Sequence, residues 1–290
     1  MGAFNATSNT TLPGGTYEFT TFNIDPGVTV TVTGPDPLVI YATGAVTING
    51  SLLAVGNPGG DGVISISAGT GGAASAGGAS GGDGVFSDST GPLDGTAGDG
   101  DGGGGAGSGW SGGGGAGYAA DGQSSGGVGG FAGIAYGDPG ISVLVGGSGG
   151  GGGSGGYSCG GGGGGAGGGA ISVRSCVSVA VGATAVIATN GGNGGSDDSA
   201  NCGGGGGGSG GSVVFSASTV TVDGQTTSFG GTGGASYVPG DPYYGVGGNG
   251  ADGRIHFQTA AGIFSGAGTV NPLAQVDMCT FDPIFANSFE

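Results

Sequence analysis

Lysine is absent from this chain, and its only cations, Arg174 and Arg254, face 19 acidic residues, giving a formal net charge of −17. A polyanion of this kind repels phosphate backbones and anionic lipid, so neither nucleic acid nor a membrane surface is expected as a partner. Without lysine, no Walker-type phosphate loop can be completed. Histidine occurs once, as His256 between Ile255 and Phe257, and is expected to be an ordinary solvent-facing strand residue. No serine stands in a nucleophile-elbow sequence, and no carboxylate pair separates itself from the turn aspartates, so no enzyme is expected. Apolar runs of 18 residues are also missing, so no membrane insertion is expected. The polar start, Met1 to Thr11, does not read as a signal peptide; an export signal is expected to have been removed or to lie outside the sequence.

What the chain has instead is glycine. Glycine (87) and proline (11) make up about a third of its 290 residues, which without a collagen period ordinarily means disorder. Ordering a residue costs roughly 1 to 2 kcal/mol, most of all for glycine, so ordered polyglycine needs dense backbone hydrogen bonding. Here the glycine runs alternate in register with Val/Ile/Thr strands, unlike a flexible linker. Cys159 heads Gly160 to Gly169 and then Ile171-Ser172-Val173; Cys202 heads Gly203 to Gly211 and then Val213-Val214-Phe215. Ile171 to Val213 is 42 residues, and Val213 to Ile255 is 42 again. A fixed period of this length is the signature of a repeat architecture.

An earlier copy of the unit lies at Leu38 to Gly60, with Val39, Tyr41 and Gly50 matched to Ile171, Val173 and Gly182 at an offset of 132. In the last full copy the third strand is read as three residues shorter. A one-residue change of phase between Val177-Val179-Val181 and Val220-Val222 is read as a bulge. The fold expected is all-β, with β-solenoid-like layered strands, a polyglycine polyproline II bundle and essentially no helix. One elongated domain covers 1–290: an N-terminal assembly segment (1–24), first β units (25–60), a glycine-rich excursion replacing the regular rungs (61–169), repeats of about 42 residues (170–268) and a C-terminal tail (269–290). Runs such as 102–107, 112–117, 146–156, 160–169 and 203–211 are short enough to lie side by side, ten residues of polyproline II spanning roughly 30 Å.

Four cysteines suggest an oxidising compartment, so the protein is expected to be secreted, extracellular or on a cell surface. Stacked repeats would bring Cys159 to Cys202, which leaves Cys176 and Cys279 as the second pair. Most aspartates stand in turn dipeptides such as Asp61-Gly62, Asp138-Pro139 and Asp252-Gly253. Gly247-Gly248-Asn249-Gly250-Ala251-Asp252 matches the first six positions of the calcium-binding nonapeptide of RTX proteins, although Arg254 holds the eighth position and tandem copies are missing. Asn249 and Asp252, with the separate acidic loop at Asp197 and Asp198, are the candidate ligands for structural calcium. No other cofactor is expected.

The polyglycine runs resemble the bundles of phage tail-tip adhesins, insect glycine-rich antifreeze proteins and the glycine-rich ectodomain of anaplastic lymphoma kinase, over roughly residues 98–253. That resemblance implies a layered or hexagonal packing of polyproline II helices. The strand units, including Gly210-Gly211-Ser212-Val213-Val214-Phe215, look like those of glycine-rich secreted bacterial surface proteins. The end, Phe281-Asp282-Pro283-Ile284-Phe285-Ala286-Asn287-Ser288-Phe289-Glu290, is similar to tails of exported proteobacterial proteins.

The function expected is that of an extracellular structural protein, a self-assembling subunit of a surface filament or biofilm matrix fibre that polymerises head to tail. Its assembly contacts are placed in the two terminal segments, at Phe4 and Tyr17 and at Phe281, Ile284, Phe285 and Phe289. The alternative is an adhesin for a host glycan or surface receptor, with Trp110, Tyr118, Tyr136, Tyr157, Tyr243 and Tyr244 as contact residues. A third reading, ice binding, rests on the alternating threonines Thr29-Thr31-Thr33 and Thr219-Thr221, which ordinary β propensity also explains.

Overall fold

Alternating β-branched residues form the strands, and glycine or polar corners end them. A computed structural model describes residues 2–88, 91–198, 201–237 and 245–278. Among these residues there is no helix. The early strands are β1 (Gly2–Ala6), β2 (Thr10–Ile24), β3 (Thr29–Ala42), β4 (Val46–Ile48) and β5 (Ser51–Leu53). Two short ones follow, β6 (Phe86–Ser87) and β7 (Cys159–Gly160). The later set is β8 (Ala170–Ser175), β9 (Ser178–Val181), β10 (Val186–Ala188), β11 (Ser212–Ala217), β12 (Thr219–Val222), β13 (Gln225–Thr227), β14 (Arg254–Thr259), β15 (Thr269–Asn271) and β16 (Gln275–Met278). Fourteen of them make one large sheet whose pairings are all parallel, and β6 with β7 forms a separate antiparallel pair.

The parallel pairs sort into three ladders that the chain visits in turn. The first runs through the middle of β2, the end of β3, then β8, β11, β14 and β16. The second runs through β1, the end of β2, β4, β9 and β12. The third takes the start of β2, the start of β3, then β5, β10, β13 and β15. Because partners are in register, like side chains stack in rows. One inward row is Tyr17, Ile40, Val173, Phe215, Phe257 and Val276, with the Phe215 and Phe257 rings stacked at 5.2 Å. Such rows form the core, which also holds Ile24, Ile48, Val181 and Val222 from the second ladder and Val30, Leu52 and Ile187 from the third. Each fully buried side chain of this size contributes about 1.5 to 3 kcal/mol.

The 42-residue period is the true register of the first ladder: Val213 pairs with both Ile171 and Ile255. The offset of 132 for the early copy is wrong by one. Leu38 pairs with Ile171 and Ile40 with Val173, an offset of 133, because a slip of one residue would turn the buried Leu38, Ile40 and Ala42 outward. The bulge expected in the second strand is absent; β12 pairs with β9 without interruption, Val220 on Val179 and Val222 on Val181. Nor is the third strand shorter, since β10 and β13 have three residues each. The chain loses its residues at the corners instead: Ser178 pairs with Thr219, offset 41, and Val186 with Gln225, offset 39. The corners lie outside the paired strand registers, so they absorb length changes that a strand cannot.

Over 61–169 no described residue belongs to a strand of the three ladders. The excursion is inserted between successive rungs, since β3 pairs directly with β8 although residues 43–169 intervene. The strand stack is continuous, and the glycine-rich segment is laid against the other glycine runs.

Candidate functional site

Lacking side chains, the glycine runs bring backbones close enough to bond in several directions at once. From the run 160–169, Gly162, Gly165 and Gly168 donate to Gly203, Gly206 and Ser209 at 2.9 Å. Gly161, Gly164 and Gly167 donate to Val85, Gly82 and Ala79, while Gly163, Ala166 and Gly169 donate to Gly60, Asn57 and Ala54, all at 2.7–2.9 Å. Carbonyls of the same run accept from residues 147–153, from Gly192 and Gly195, and from Gly69 and Gly72. Each direction recurs every third residue. The run 203–211 is surrounded in the same way, and it bonds to 112–117 through Gly113 and Ala116, while 102–107 bonds to 146–156 through Gly104 and Gly107. All five runs expected to lie together do so.

Where a run lacks a glycine neighbour, polar side chains take over. Asn190, Asn193 and Ser196, three apart, accept from the N–H groups of Phe229, Thr232 and Ala235. Asn249 Oδ1 accepts from Gly233 N at 2.8 Å and Asp252 Oδ1 from Gly230 N at 3.0 Å. This is the role the structure gives two of the candidate calcium ligands. Asp197 accepts from Tyr237 N at 2.9 Å and Asp198 from Ile64 N at 2.9 Å, so the acidic loop is likewise engaged with backbone. Among the described residues no group of three or more His, Cys, Asp or Glu side chains is positioned to hold a metal ion. Asp61, read as a turn residue, caps Ser196 N instead. The three-residue spacing of Asn190-x-x-Asn193-x-x-Ser196 and Asn249-x-x-Asp252 was the available signal.

Cys159 and Cys202 form a disulfide with their Cα atoms 6.0 Å apart, as the stacked repeats imply. Cys176 is exposed at the corner between β8 and β9; Cys279 lies outside the described residues. So do Tyr243, Tyr244, Phe281, Ile284, Phe285 and Phe289.

The aromatic residues separate into two groups. Tyr118 is buried with its hydroxyl 2.6 Å from Ser212 Oγ and the Arg254 guanidinium 5.3 Å from its ring, so it is a packing residue. Burial raises its pKa, against the Ser212 hydrogen bond. Tyr136 donates to the Gly146 carbonyl at 2.8 Å, and burial pushes its phenol up to about 12, against the opposing hydrogen bond from Ser148. Trp110 and Tyr157 stack at 6.0 Å on backbones with positive φ, 67° and 53°. Tyr157 and Tyr237 are 48% and 65% exposed. Nearby loops meet there: Ser65 N bonds to Ser158 O, Ser158 N to Ser87 O, and Gly245 N to Trp110 O. The threonine rows needed for ice binding are broken, since Thr29 stacks above Ser51 and Val186, and Thr221 above Ala180.

His256 is not solvent-facing. It is 2% exposed, with Nδ1 2.7 Å from the Gly140 carbonyl and Nε2 2.9 Å from Asp277 Oδ2. The cover comes from a turn 116 residues earlier and from β16, the next strand of its ladder. In that turn Asp138 accepts from Ser142, whose hydrogen bond holds the Asp138 carboxyl below the ordinary range.

The ends of the strand stack complete the picture. Phe4, Tyr17 and Phe19 are only partly buried against the core, with Phe4 stacked on Phe22 at 4.6 Å and Tyr17 on Phe19 at 6.0 Å. β1 covers the second ladder, but Thr10 to Glu18 of β2 have no described strand on their outer side. At the opposite end β15 and β16 are the outermost described strands, with Val270, Ala274 and Val276 partly buried.

The chain matches no family model, no curated protein and no solved structure.

Proposed function

We propose that this chain is an extracellular structural protein, a β-solenoid with an attached polyproline II glycine bundle, whose subunits stack head to tail into a surface or matrix fibre. Hydrogen bonds that recur every third residue along the glycine runs suit a helix of three residues per turn. Three parallel ladders visited in turn suit a solenoid. The observation that carries the fibre is the N-terminal end of the strand stack, where Phe4, Tyr17 and Phe19 are half-covered beside the Thr10 to Glu18 edge, on whose outer side no described strand pairs. An open parallel edge over an apolar core recruits another strand. The outer strands β15 and β16 of a second copy present a parallel edge of the opposite sense, and such a heterologous contact does not close. The test is sedimentation and electron microscopy of the wild type beside the double variant Phe4→Asp, Tyr17→Asp. Fibres in the wild type and monomers in the variant are expected; a wild type that stays monomeric at high concentration ends this reading.

Receptor binding is the second reading, favoured by the stacked Trp110 and Tyr157 where loops meet and by the exposed Tyr237 elsewhere on the loops. Tyr118 and Tyr136 do not belong to that surface, because their hydroxyls are bonded within the protein. Loss of glycan-array or cell binding in a Tyr157→Ala, Tyr237→Ala variant, with fibre formation unchanged, would select it.

A further inference from the structure

Acidic side chains are almost excluded from the strands. Among the described strands only Glu18, Asp36 and Asp277 carry a carboxylate, and Asp36 lies between the paired stretches of β3. Glu18 stands in the first strand of the first ladder and Asp277 in its last described strand. The registers set them in one row, which runs Glu18, Tyr41, Arg174, Ser216, Gln258, Asp277. Tyr17 and Val276, their neighbours in sequence, belong to the inward row, so both acids point away from the core. Glu18 is exposed. The Asp277 side chain is 52% exposed, and its Oδ2 lies 2.9 Å from both His256 Nε2 and Gln275 Nε2.

One acid at each end of a single row matters when the two ends meet. An in-register parallel ladder repeats by translation, about 4.8 Å per strand, so the end of one copy continues into the start of the next without a change of row. Carried from β16 of one copy into β2 of another, the first ladder puts Gln275 beside Thr16, Val276 beside Tyr17 and Asp277 beside Glu18. The third ladder follows, with Val270 beside Thr10 and Asn271 beside Thr11. A slip of one residue would set the inward Tyr17 against an outward position, so this is the register that covers the apolar end.

We propose that Glu18 and Asp277 are a charge check on stacking. The partner is a second copy of this chain, and the register that buries Tyr17 on Val276 also sets the two carboxylates side by side. Like charges directly opposite each other on neighbouring strands oppose pairing, and charge on an open edge blunts it. Within one copy the conflict never arises, because Tyr41, Arg174, Ser216 and Gln258 separate the two acids. The geometry of the junction rests on the head-to-tail reading, while the placement of the acids at the two ends of one row belongs to the single chain.

The experiment is sedimentation velocity of the intact protein and its variants over a concentration series at low salt. Glu18→Gln is expected to lower the protein concentration needed for assembly roughly two- to fivefold, the worth of one cross-strand charge pair, and Glu18→Lys to lower it further. Asp94→Asn, which removes the same charge from an exposed position in the glycine-rich segment, should shift it by less than about twofold. Cross-linking reads the register. Thr16 and Gln275 are five strand steps apart within one copy, roughly 24 Å, but about 4.8 Å apart at the junction, within the reach of a disulfide. Peptide mapping of assembled Thr16→Cys, Gln275→Cys should therefore recover a link between positions 16 and 275 of different copies. Thr16→Cys, Asp277→Cys, two residues out of register and about 8 Å apart, should give none. Equal effects of Glu18→Gln and Asp94→Asn, assemblies without the 16–275 link, or no assembly of Glu18→Gln at any concentration would each overturn the charge check. A monomeric wild type beside an assembling, correctly linked Glu18→Gln would uphold it and end the fibre reading instead.

Discussion

A Cβ added at Gly205 would overlap the carbonyl of Gly163, a neighbouring backbone that has no side chain to move aside. Gly205 also donates to Gly195 and Gly163 donates to Gly60, so neither run can retreat without giving up hydrogen bonds. Gly205→Ala is therefore expected to destabilise by about 3 kcal/mol or more, the scale of overpacking plus broken buried hydrogen bonds. Gly2→Ala, where nothing lies within 4 Å, should change stability by no more than about 0.5 kcal/mol. Calorimetry of the two variants decides, and equal melting temperatures would return the glycine runs to the status of linkers. At this scale the sequence was legible where spacing carries the signal and illegible where a distant segment supplies the environment. Asn249 and Asp252 stand three apart in plain sight, but the same spacing fits a calcium loop and a run-edge cap, and only the position of Gly230 and Gly233 separates them. His256 reads as an exposed strand residue because nothing within its own repeat shows that Gly140 covers it.

At the scale of the element, parallel register made the fold readable. The rows of Ile171, Val213 and Ile255 recur at 42 residues because a parallel ladder in register repeats its inward positions, and the same stacking brings Cys159 to Cys202. By sequence the early copy aligns one residue out of register because Val39 and Tyr41 look as apolar as Leu38 and Ile40; burial alone distinguishes them. Length changes hide at corners, outside the paired strand registers. The disulfide ties two such neighbours across a sequence separation of 43, and closing a loop of that size contributes roughly 2 to 4 kcal/mol. Reduction should lower the melting temperature accordingly. It should also loosen residues 154–162 and 201–205 in hydrogen exchange before the ladders themselves. Melting that does not respond to reductant would show that the glycine contacts alone hold this register.

At the scale of the whole molecule, charge opposes what the strand edges favour. Each copy carries a formal −17, and its only cations are spent internally, Arg174 6.0 Å from the centre of the Tyr41 ring and Arg254 on Tyr118 and on the Tyr136 carbonyl. Two arginines per copy give ion pairs little scope to offset the repulsion between one subunit and the next. Stacking of two copies as proposed would bring like charges together while burying the partly buried Phe4, Tyr17 and Phe19, and the two contributions respond oppositely to salt. Repulsion reaches about 30 Å at 0.01 M and about 10 Å at 0.1 M ionic strength, whereas apolar burial and strand pairing are nearly indifferent over that range. Assembly is expected to strengthen with salt: the protein concentration needed for fibres should fall severalfold between about 10 mM and 200 mM sodium chloride. Phe4→Asp, Tyr17→Asp should remain monomeric at both, since screening cannot restore a lost apolar end. Sedimentation velocity across that series checks it, and fibres that dissolve as salt rises would mean that the subunits are joined by contacts other than this edge.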